Sequence, residues 1–122
     1  EHDWITNFGL GMKPEERDKL RKDFPAVHHP VVRTHPETGR KMLYVNRGFT
    51  QFIVGMDPQE SRELLEQLLR QAGFGEYQCR WKWQPGDVAF WDNRSTQHYA
   101  ISDYFPNRRV MERITVIGDK PF

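Results

Sequence analysis

The sequence predicts a single domain of the α+β class, mainly β with one or two helices, built as an antiparallel sandwich or jelly roll. Three observations support this prediction: apolar residues that alternate with period two after residue 76, turn chemistry between short apolar runs, and one leucine-striped helix at about 58–72. The 122 residues contain no internal repeat and no second-domain linker, so one domain, 1–122, is expected. It divides into a charged segment, 1–30, and a strand-rich segment, 31–122.

The first 30 residues are charged and only weakly periodic. Pro14 stands at a first-turn position, and acidic residues precede basic ones up to Lys22, which favours a short exposed helix or a mobile loop. This segment is interpreted either as a lid over a site or as a solvated surface helix, the commoner meaning of a charge run.

A hairpin and a helix follow. The runs 31–35 and 41–46 are rich in strand formers, and Pro36-Glu37-Thr38-Gly39 between them is turn chemistry. Asp57 supplies an N-cap for the helix at about 58–72, with a proline and a capping-box glutamate behind it. The helix carries an apolar stripe that is expected to pack against a sheet, with docking to a partner as the alternative: Leu64, Leu65, Leu68, Leu69 and Ala72.

Period-two alternation predicts further strands at 77–84 and 88–91, joined by a type II turn at Pro85-Gly86. A last strand at 109–117 places Arg109 and Arg113 on the same face, about 13 Å apart at roughly 3.3 Å per residue. Two like charges on a mostly apolar face require anions opposite them. The last strand is therefore a candidate anion-binding element.

Composition and charge limit the classes of binding partner that are expected. The chain has 18 basic and 17 acidic residues and a formal net charge of +1, so no long-range field favours nucleic acid or an anionic membrane. Mean hydropathy is -0.83, and no apolar run approaches the roughly 20 residues of a membrane span. A single cysteine, Cys79, excludes an internal disulfide framework and fits a reducing cytoplasm. Small-molecule partners and a cytoplasmic location are expected.

From His29 onward the chain resembles the taurine dioxygenase group of the iron(II)- and 2-oxoglutarate-dependent dioxygenases. The main motif is Trp91-Asp92-Asn93-Arg94-Ser95-Thr96-Gln97-His98-Tyr99-Ala100, and the other matching segments are 29–36, 45–50, 83–87, 108–113 and 118–122. The resemblance implies the C-terminal part of a double-stranded β-helix. It also implies an enzyme that uses iron(II), 2-oxoglutarate and oxygen to hydroxylate the carbon next to the sulfonate of taurine or a similar compound, which then releases sulfite and an aldehyde.

The resemblance also implies roles for four residues. His98 matches a histidine ligand of iron(II), Arg109 the residue that binds the distal carboxylate of 2-oxoglutarate, Arg113 the sulfonate anchor, and Phe49 a substrate-packing side chain. The structural alternatives are a hydrogen-bonded loop or core histidine, two salt-bridged arginines and a core aromatic residue.

One half of the implied iron site is missing from this chain. The group carries a His-x-Asp pair of ligands, and no such pair occurs here; His2-Asp3 is adjacent, so its side chains diverge. Asp92 is interpreted as a turn cap rather than a ligand. The 122 residues alone are therefore expected to be inactive, whereas the full-length protein is expected to be an active enzyme and, like its relatives, a homo-oligomer.

Three alternatives stay open. The enzyme could act on alkyl sulfates or aryloxyalkanoates, because the dioxygenases for these compounds use arginines in the same way to bind different anions. The barrel could instead bind an organic anion without oxidising it. A zinc site at His28, His29 and His35 is disfavoured because no carboxylate or thiolate stands at ligand spacing.

Overall fold

The regular structure lies mostly in the first 77 residues. The computed structural model describes residues 1–118 and 120–122, so Asp119, in the last matching segment, lies outside the described residues. The order of elements is α1 (Trp4–Phe8), α2 (Pro14–Asp23), β1 (Val32–Thr34), β2 (Lys41–Leu43) and α3 (Pro58–Arg70), followed by 3₁₀ turns at Gln71–Gly73 and Gly75–Tyr77. As predicted, the structure combines a few helices with strands, and the strands form one small sheet. The jelly roll stays a prediction.

The predicted hairpin is confirmed. β1 and β2 pair antiparallel, with Arg33 opposite Met42. The connecting turn closes where the His35 N–H donates to the Arg40 carbonyl at 2.9 Å. Gly39 takes a φ of 69°, a left-handed conformation that glycine adopts without a steric penalty. The turn therefore projects from the end of the sheet in a fixed conformation.

The predicted helix at 58–72 is confirmed as α3 and the turn after it. The Asp57 carboxylate accepts hydrogen bonds from the N–H groups of Gln59 at 2.8 Å and Glu60 at 3.3 Å, which is an N-cap. Its apolar stripe is only partly covered: Leu65 is 5% exposed, whereas Leu64 is 36% exposed. The expected burial of the whole stripe against a sheet is therefore not realised.

Two helices form in the charged N-terminal segment. α1 is capped by the Asp3 carboxylate, which accepts from the Ile5 N–H at 2.9 Å, and it buries Ile5. α2 shows that the charged run forms the short exposed helix, one of the two structures expected for it, and it buries none of its side chains. The chain before α1 is fixed by the His2 N–H, which donates to the Val27 carbonyl at 2.8 Å.

The core is small and holds polar as well as apolar side chains. Among the described residues, its buried apolar residues are Ile5, Val45 and Leu65, and its buried polar residues are Arg33, His35 and Ser61. The Ser61 hydroxyl accepts a hydrogen bond from the Ile53 N–H at 2.7 Å and so ties α3 to the chain before it.

The predicted strands at 77–84, 88–91 and 109–117 were wrong for this chain: the structure has no strand in these described segments. Their expected inward faces are open to solvent, as Trp81 at 64% exposure and Ile114 at 96% exposure illustrate. A strand is stabilised by hydrogen bonds to a neighbouring strand, and these segments have none within the described part of the chain.

Candidate functional site

The loop that carries His98 begins with a turn built around Asp92. The Asp92 carboxylate accepts a hydrogen bond from the Arg94 backbone N–H at 2.8 Å. The Asp92 backbone carbonyl accepts another from the Thr96 N–H at 3.0 Å. The Arg94 guanidinium also binds this carboxylate and holds the pKa of Asp92 well below its usual range. The prediction of a turn cap is confirmed. Residues 91–98 are called the His98 loop below.

The His98 loop is tied to the turn of the β1–β2 hairpin. His35 Nε2 lies 3.0 Å from Asp92 Oδ2, and an Arg94 guanidinium nitrogen lies 3.5 Å from Glu37 Oε1. The His35 side chain is 11% exposed and the Asp92 side chain 32% exposed, so their bond is partly buried, whereas the Glu37 side chain is 73% exposed. An exposed ion pair adds little stability, so the His35 contact is the main link.

The other end of the His98 loop is held by Gln97. The Gln97 side-chain amide donates to the Val45 carbonyl at 2.8 Å, and Val45 is in the buried core. Sequence reasoning assigned no role to Gln97 and considered His35 only as a zinc ligand. No periodicity could reveal either contact, because each joins residues more than 50 positions apart.

His98 itself is exposed and available to a ligand. Its ring packs against Trp91 at 5.1 Å between centroids, and no described residue hydrogen-bonds to its ring nitrogens. This agrees with the role that the resemblance implies, because a metal requires an unprotonated nitrogen that is not already engaged.

The two predicted anion-binding arginines are also exposed. The Arg109 guanidinium lies over the Tyr104 ring at 5.8 Å, and Arg113 forms no ion pair with a described residue. Because the segment 109–117 is not a strand, the expected shared face and spacing are not realised. No hydrogen bond or ion pair within the described residues joins either arginine to His98.

Phe49 lies at a different contact, formed with α1. Its ring packs against Phe8 at 5.7 Å between centroids, and both rings are partly exposed, at 42% and 59%. The Asn7 side-chain amide donates to the Gly48 carbonyl at 2.9 Å, which holds α1 beside this segment. Sequence reasoning missed Phe8, since nothing local in its segment distinguished it from other apolar residues.

A cluster of aromatic and histidine rings lies beside a cavity of about 180 Å³. His2 packs edge-on against His29 at 4.9 Å and stacks on Tyr44 at 5.8 Å. Burial, then the nearby His29, lowers the pKa of His2 to about 4, and burial, then Lys120, lowers the pKa of His29. Both rings are therefore neutral at pH 7.

The described residues do not complete a metal centre. No group of three or more histidine, cysteine or acidic side chains that could hold a metal ion occurs within 1–118 and 120–122. The three histidines weighed as a zinc site have separate partners: His28 lies 3.3 Å from Glu1, His29 packs against His2, and His35 binds Asp92. His98 fits one position of an iron site, but no other described donor accompanies it.

A histidine with free ring nitrogens on a tethered loop, followed by two exposed arginines, defines a candidate metal- and anion-binding site in an α+β protein. The family model described as "Taurine catabolism dioxygenase TauD, TfdA family" matches residues 3–115. The chain belongs to this family.

Three curated relatives are similar over most of this chain. An alkylsulfatase of Acinetobacter baylyi is 43% identical over 112 residues, 88% of this chain and 35% of the relative. An alpha-ketoglutarate-dependent sulfate ester dioxygenase of Pseudomonas putida is 38% identical over 114 residues, 90% of this chain and 38% of the relative. A putative alpha-ketoglutarate-dependent sulfonate dioxygenase of Schizosaccharomyces pombe is 40% identical over 104 residues, 84% of this chain and 27% of the relative. The chain thus spans about a third of the length of these relatives.

Membrane insertion through a helix finds no support in the described part of the chain, where no helix has the length and apolar composition that a span requires.

Proposed function

We propose that the whole protein is a dioxygenase that uses iron(II), 2-oxoglutarate and oxygen to hydroxylate the carbon next to a sulfonate or sulfate ester group. The observation that carries this proposal is the match of residues 3–115 to a dioxygenase family, in a chain whose His98, Arg109 and Arg113 side chains are all exposed. Within the whole protein, we expect this chain to form the C-terminal part of a jelly roll. A homo-oligomeric state and a cytoplasmic location stay predictions.

His98 is the residue of this chain that would hold iron(II). Its free imidazole nitrogens and its position at the end of a tethered loop support this role. The remaining protein ligands would come from residues outside this chain, since the described residues offer no complete set. Iron(II), once held with 2-oxoglutarate, would supply the oxidising chemistry.

The two arginines would hold the two anions of the reaction. A guanidinium presents a planar fork of N–H donors that matches a carboxylate or a sulfonate, and it stays charged at any working pH. We assign Arg109 to the distal carboxylate of 2-oxoglutarate and Arg113 to the substrate oxyanion. Neither is neutralised by an acidic side chain in the described structure, so both remain available to external anions.

Phe49 would supply apolar surface for the carbon chain of the substrate. Its ring and that of Phe8 pack together yet keep about half of their surface open, at 42% and 59% exposure. Two partly open aromatic rings can cover methylene groups without hydrogen bonding to them.

The choice between a sulfonate and a sulfate ester changes the product. Hydroxylation next to a sulfonate gives a product whose C–S bond breaks, leaving an aldehyde and sulfite. Hydroxylation next to a sulfate ester oxygen gives a product whose C–O bond breaks, leaving an aldehyde and sulfate. In both cases one oxygen atom of O₂ enters the substrate, and the other enters succinate as 2-oxoglutarate loses CO₂. The relatives named for the two substrates are similarly close, at 43% and 38% against 40% identity, so sequence similarity does not separate them.

The test is product analysis with the full-length protein. Taurine, a longer alkylsulfonate, an alkyl sulfate and an aryloxyalkanoate are each supplied with iron(II), 2-oxoglutarate and oxygen, and sulfite, sulfate and succinate are measured. We expect sulfite or sulfate to appear in step with succinate. Replacing Arg113 with Ala should lower kcat/KM roughly 100- to 1000-fold, because the substrate oxyanion loses the guanidinium proposed to bind it.

Arg62→Ala is the matched control, since Arg62 is an exposed arginine on the outer side of α3. It should leave kcat/KM unchanged. Absence of succinate above background with every substrate would overturn the proposal and favour an anion-binding protein without oxidase activity.

A further inference from the structure

We propose that His35 is a positioning residue for His98, acting through Asp92 on the loop that carries the iron ligand. This inference rests on the proposed function, in which His98 holds iron(II). It adds a residue on a different element, the turn of the β1–β2 hairpin, to the machinery of the site.

The hydrogen bonds of His35 fix its tautomer. His35 Nδ1 accepts from the backbone N–H groups of Glu37 at 3.2 Å and Thr38 at 3.3 Å. A ring nitrogen that accepts carries no proton, so the network assigns the proton of a neutral imidazole to Nε2. Nε2 then donates to Asp92 Oδ2 at 3.0 Å. The His35 ring thus accepts hydrogen bonds from the hairpin turn through one nitrogen and donates a hydrogen bond to the His98 loop through the other.

Burial makes this bond an effective constraint. His35 is 9% exposed, so its ring has little freedom to leave the position between the two segments. The hairpin turn that carries it is closed by backbone hydrogen bonds of 2.9 Å at both ends. Asp92 is in turn the residue on which the turn of the His98 loop is built.

The loop is held on both sides of its length. Asp92 fixes its start, and Gln97, next to His98, fixes its end through the 2.8 Å bond to the Val45 carbonyl. His98 directly follows the second tether, so its backbone has few conformations to lose when a metal binds, and its affinity for the metal is higher. Outer-shell contacts that orient metal ligands are typically worth 10- to 100-fold in metal affinity.

Two substitutions of His35 separate its two hydrogen-bonding functions. In His35→Gln the amide nitrogen reaches the position of Nε2, so the donor to Asp92 is kept while the acceptor in the turn is lost. In His35→Asn the shorter side chain keeps an acceptor near the position of Nδ1 but does not reach Asp92. A role in stability alone would lower Tm in both variants without separating their iron affinities.

The experiment measures the Kd of the full-length protein for iron(II) by anaerobic titration, together with Tm. We expect His35→Asn to raise this Kd about tenfold. We expect His35→Gln and the control His28→Asn to stay close to the wild-type value. His28 is suitable because its side chain is 65% exposed and its ring contacts Glu1, away from the His98 loop.

The outcomes distinguish this inference from the proposed function. If wild type does not bind iron(II), or if His98→Ala binds it equally well, the proposed function is overturned, and so is the positioning role of His35. If wild type binds and His35→Asn keeps the wild-type Kd, only the positioning role is overturned. Should His35→Asn fail to fold, Asp92→Ser decides: it keeps one acceptor for the Arg94 N–H but loses Oδ2, the atom that binds His35. A Kd that stays at the wild-type value would then contradict positioning through Asp92.

Discussion

The segment 1–77 and the segment 78–118 contrast sharply, although both carry strand signals in the sequence. The first holds all the named elements and every buried core residue of the described chain, including Ile5 and Val45. The second holds large apolar side chains that remain open to solvent, such as Phe90 at 92% and Ile117 at 96% exposure. Caps and tight turns need only neighbours in sequence, whereas a strand needs a partner that can lie far away in the chain.

Within the exposed segment, the candidate site residues differ in how they are held in place. His98, Arg109 and Arg113 all lie in the exposed segment, but the His98 loop is anchored to the hairpin by His35 and Gln97. The arginines have no such anchor among the described residues. We therefore expect the position of His98 to be set largely within this chain, and the positions of the arginines to be set by the rest of the protein.

Hydrogen exchange of the segment 109–117 gives the largest expected effect. In the 122-residue chain its amides should exchange almost as fast as in an unfolded chain, because no strand pairs with them. In the full-length protein they should be protected more than about 1000-fold, equivalent to roughly 4 kcal/mol of opening free energy, if the missing partner strands are supplied there. Mass spectrometry of deuterated peptides measures both.

The hairpin amides are the internal control for this comparison. The N–H groups of His35 and Tyr44 already donate to backbone carbonyls, at 2.9 and 2.8 Å, and should be protected in both chains. Rapid exchange of 109–117 in the full-length protein as well would contradict the strand interpretation of this segment.

The sequence predicted local structure well and long-range pairing poorly. The hairpin turn, the Asp57 cap and the Asp92 turn were identified because each depends on residues within a few positions of one another. The turn at Pro85-Gly86 is also present, with Gly86 at a φ of 88°. The alternation at 77–84 indicates a strand that requires a partner, and no described segment of this chain provides one.

For the candidate site too, local motifs were predictable from the sequence and long-range contacts were not. His98, Arg109, Arg113 and Phe49 were assigned from the motif, and their roles stay proposals. The contacts that support His98 were not predicted, because His35 and Asp92 are 57 positions apart and only the folded chain brings them together.

Acid should weaken the N-terminal segment through His2. An unfolded histidine titrates near pH 6.5, whereas burial, and then His29, lowers the pKa of His2 to about 4 in the folded chain. Between these values the unfolded state binds more protons, so stability is complete above pH 6.5 and falls as the pH drops toward 4. Since the ring is only half-buried, solvent screening leaves an effect on the order of 1 to 2 kcal/mol.

Denaturant unfolding at pH 7.5 and pH 5 measures this loss. His2→Gln should reduce the difference between the two pH values, since its amide does not titrate. His28→Gln should leave it unchanged, because the His28 ring is largely exposed. An equal pH dependence in wild type and His2→Gln would place the acid sensitivity elsewhere.

The Asp57 cap should give the smallest of these effects, and it tests whether the order of the first segment is local in origin. Asp57→Ala removes the acceptor for the N–H groups of Gln59 and Glu60, both at the exposed start of α3. The expected loss is about 1 kcal/mol in the free energy of unfolding. Asp57→Asn keeps an acceptor oxygen and should recover most of it, which distinguishes the hydrogen bond from the charge. A similar loss in the 122-residue chain and in the full-length protein would show that α3 is stabilised by its own sequence, whereas a loss confined to the full-length protein would mean that even this helix depends on distant partners.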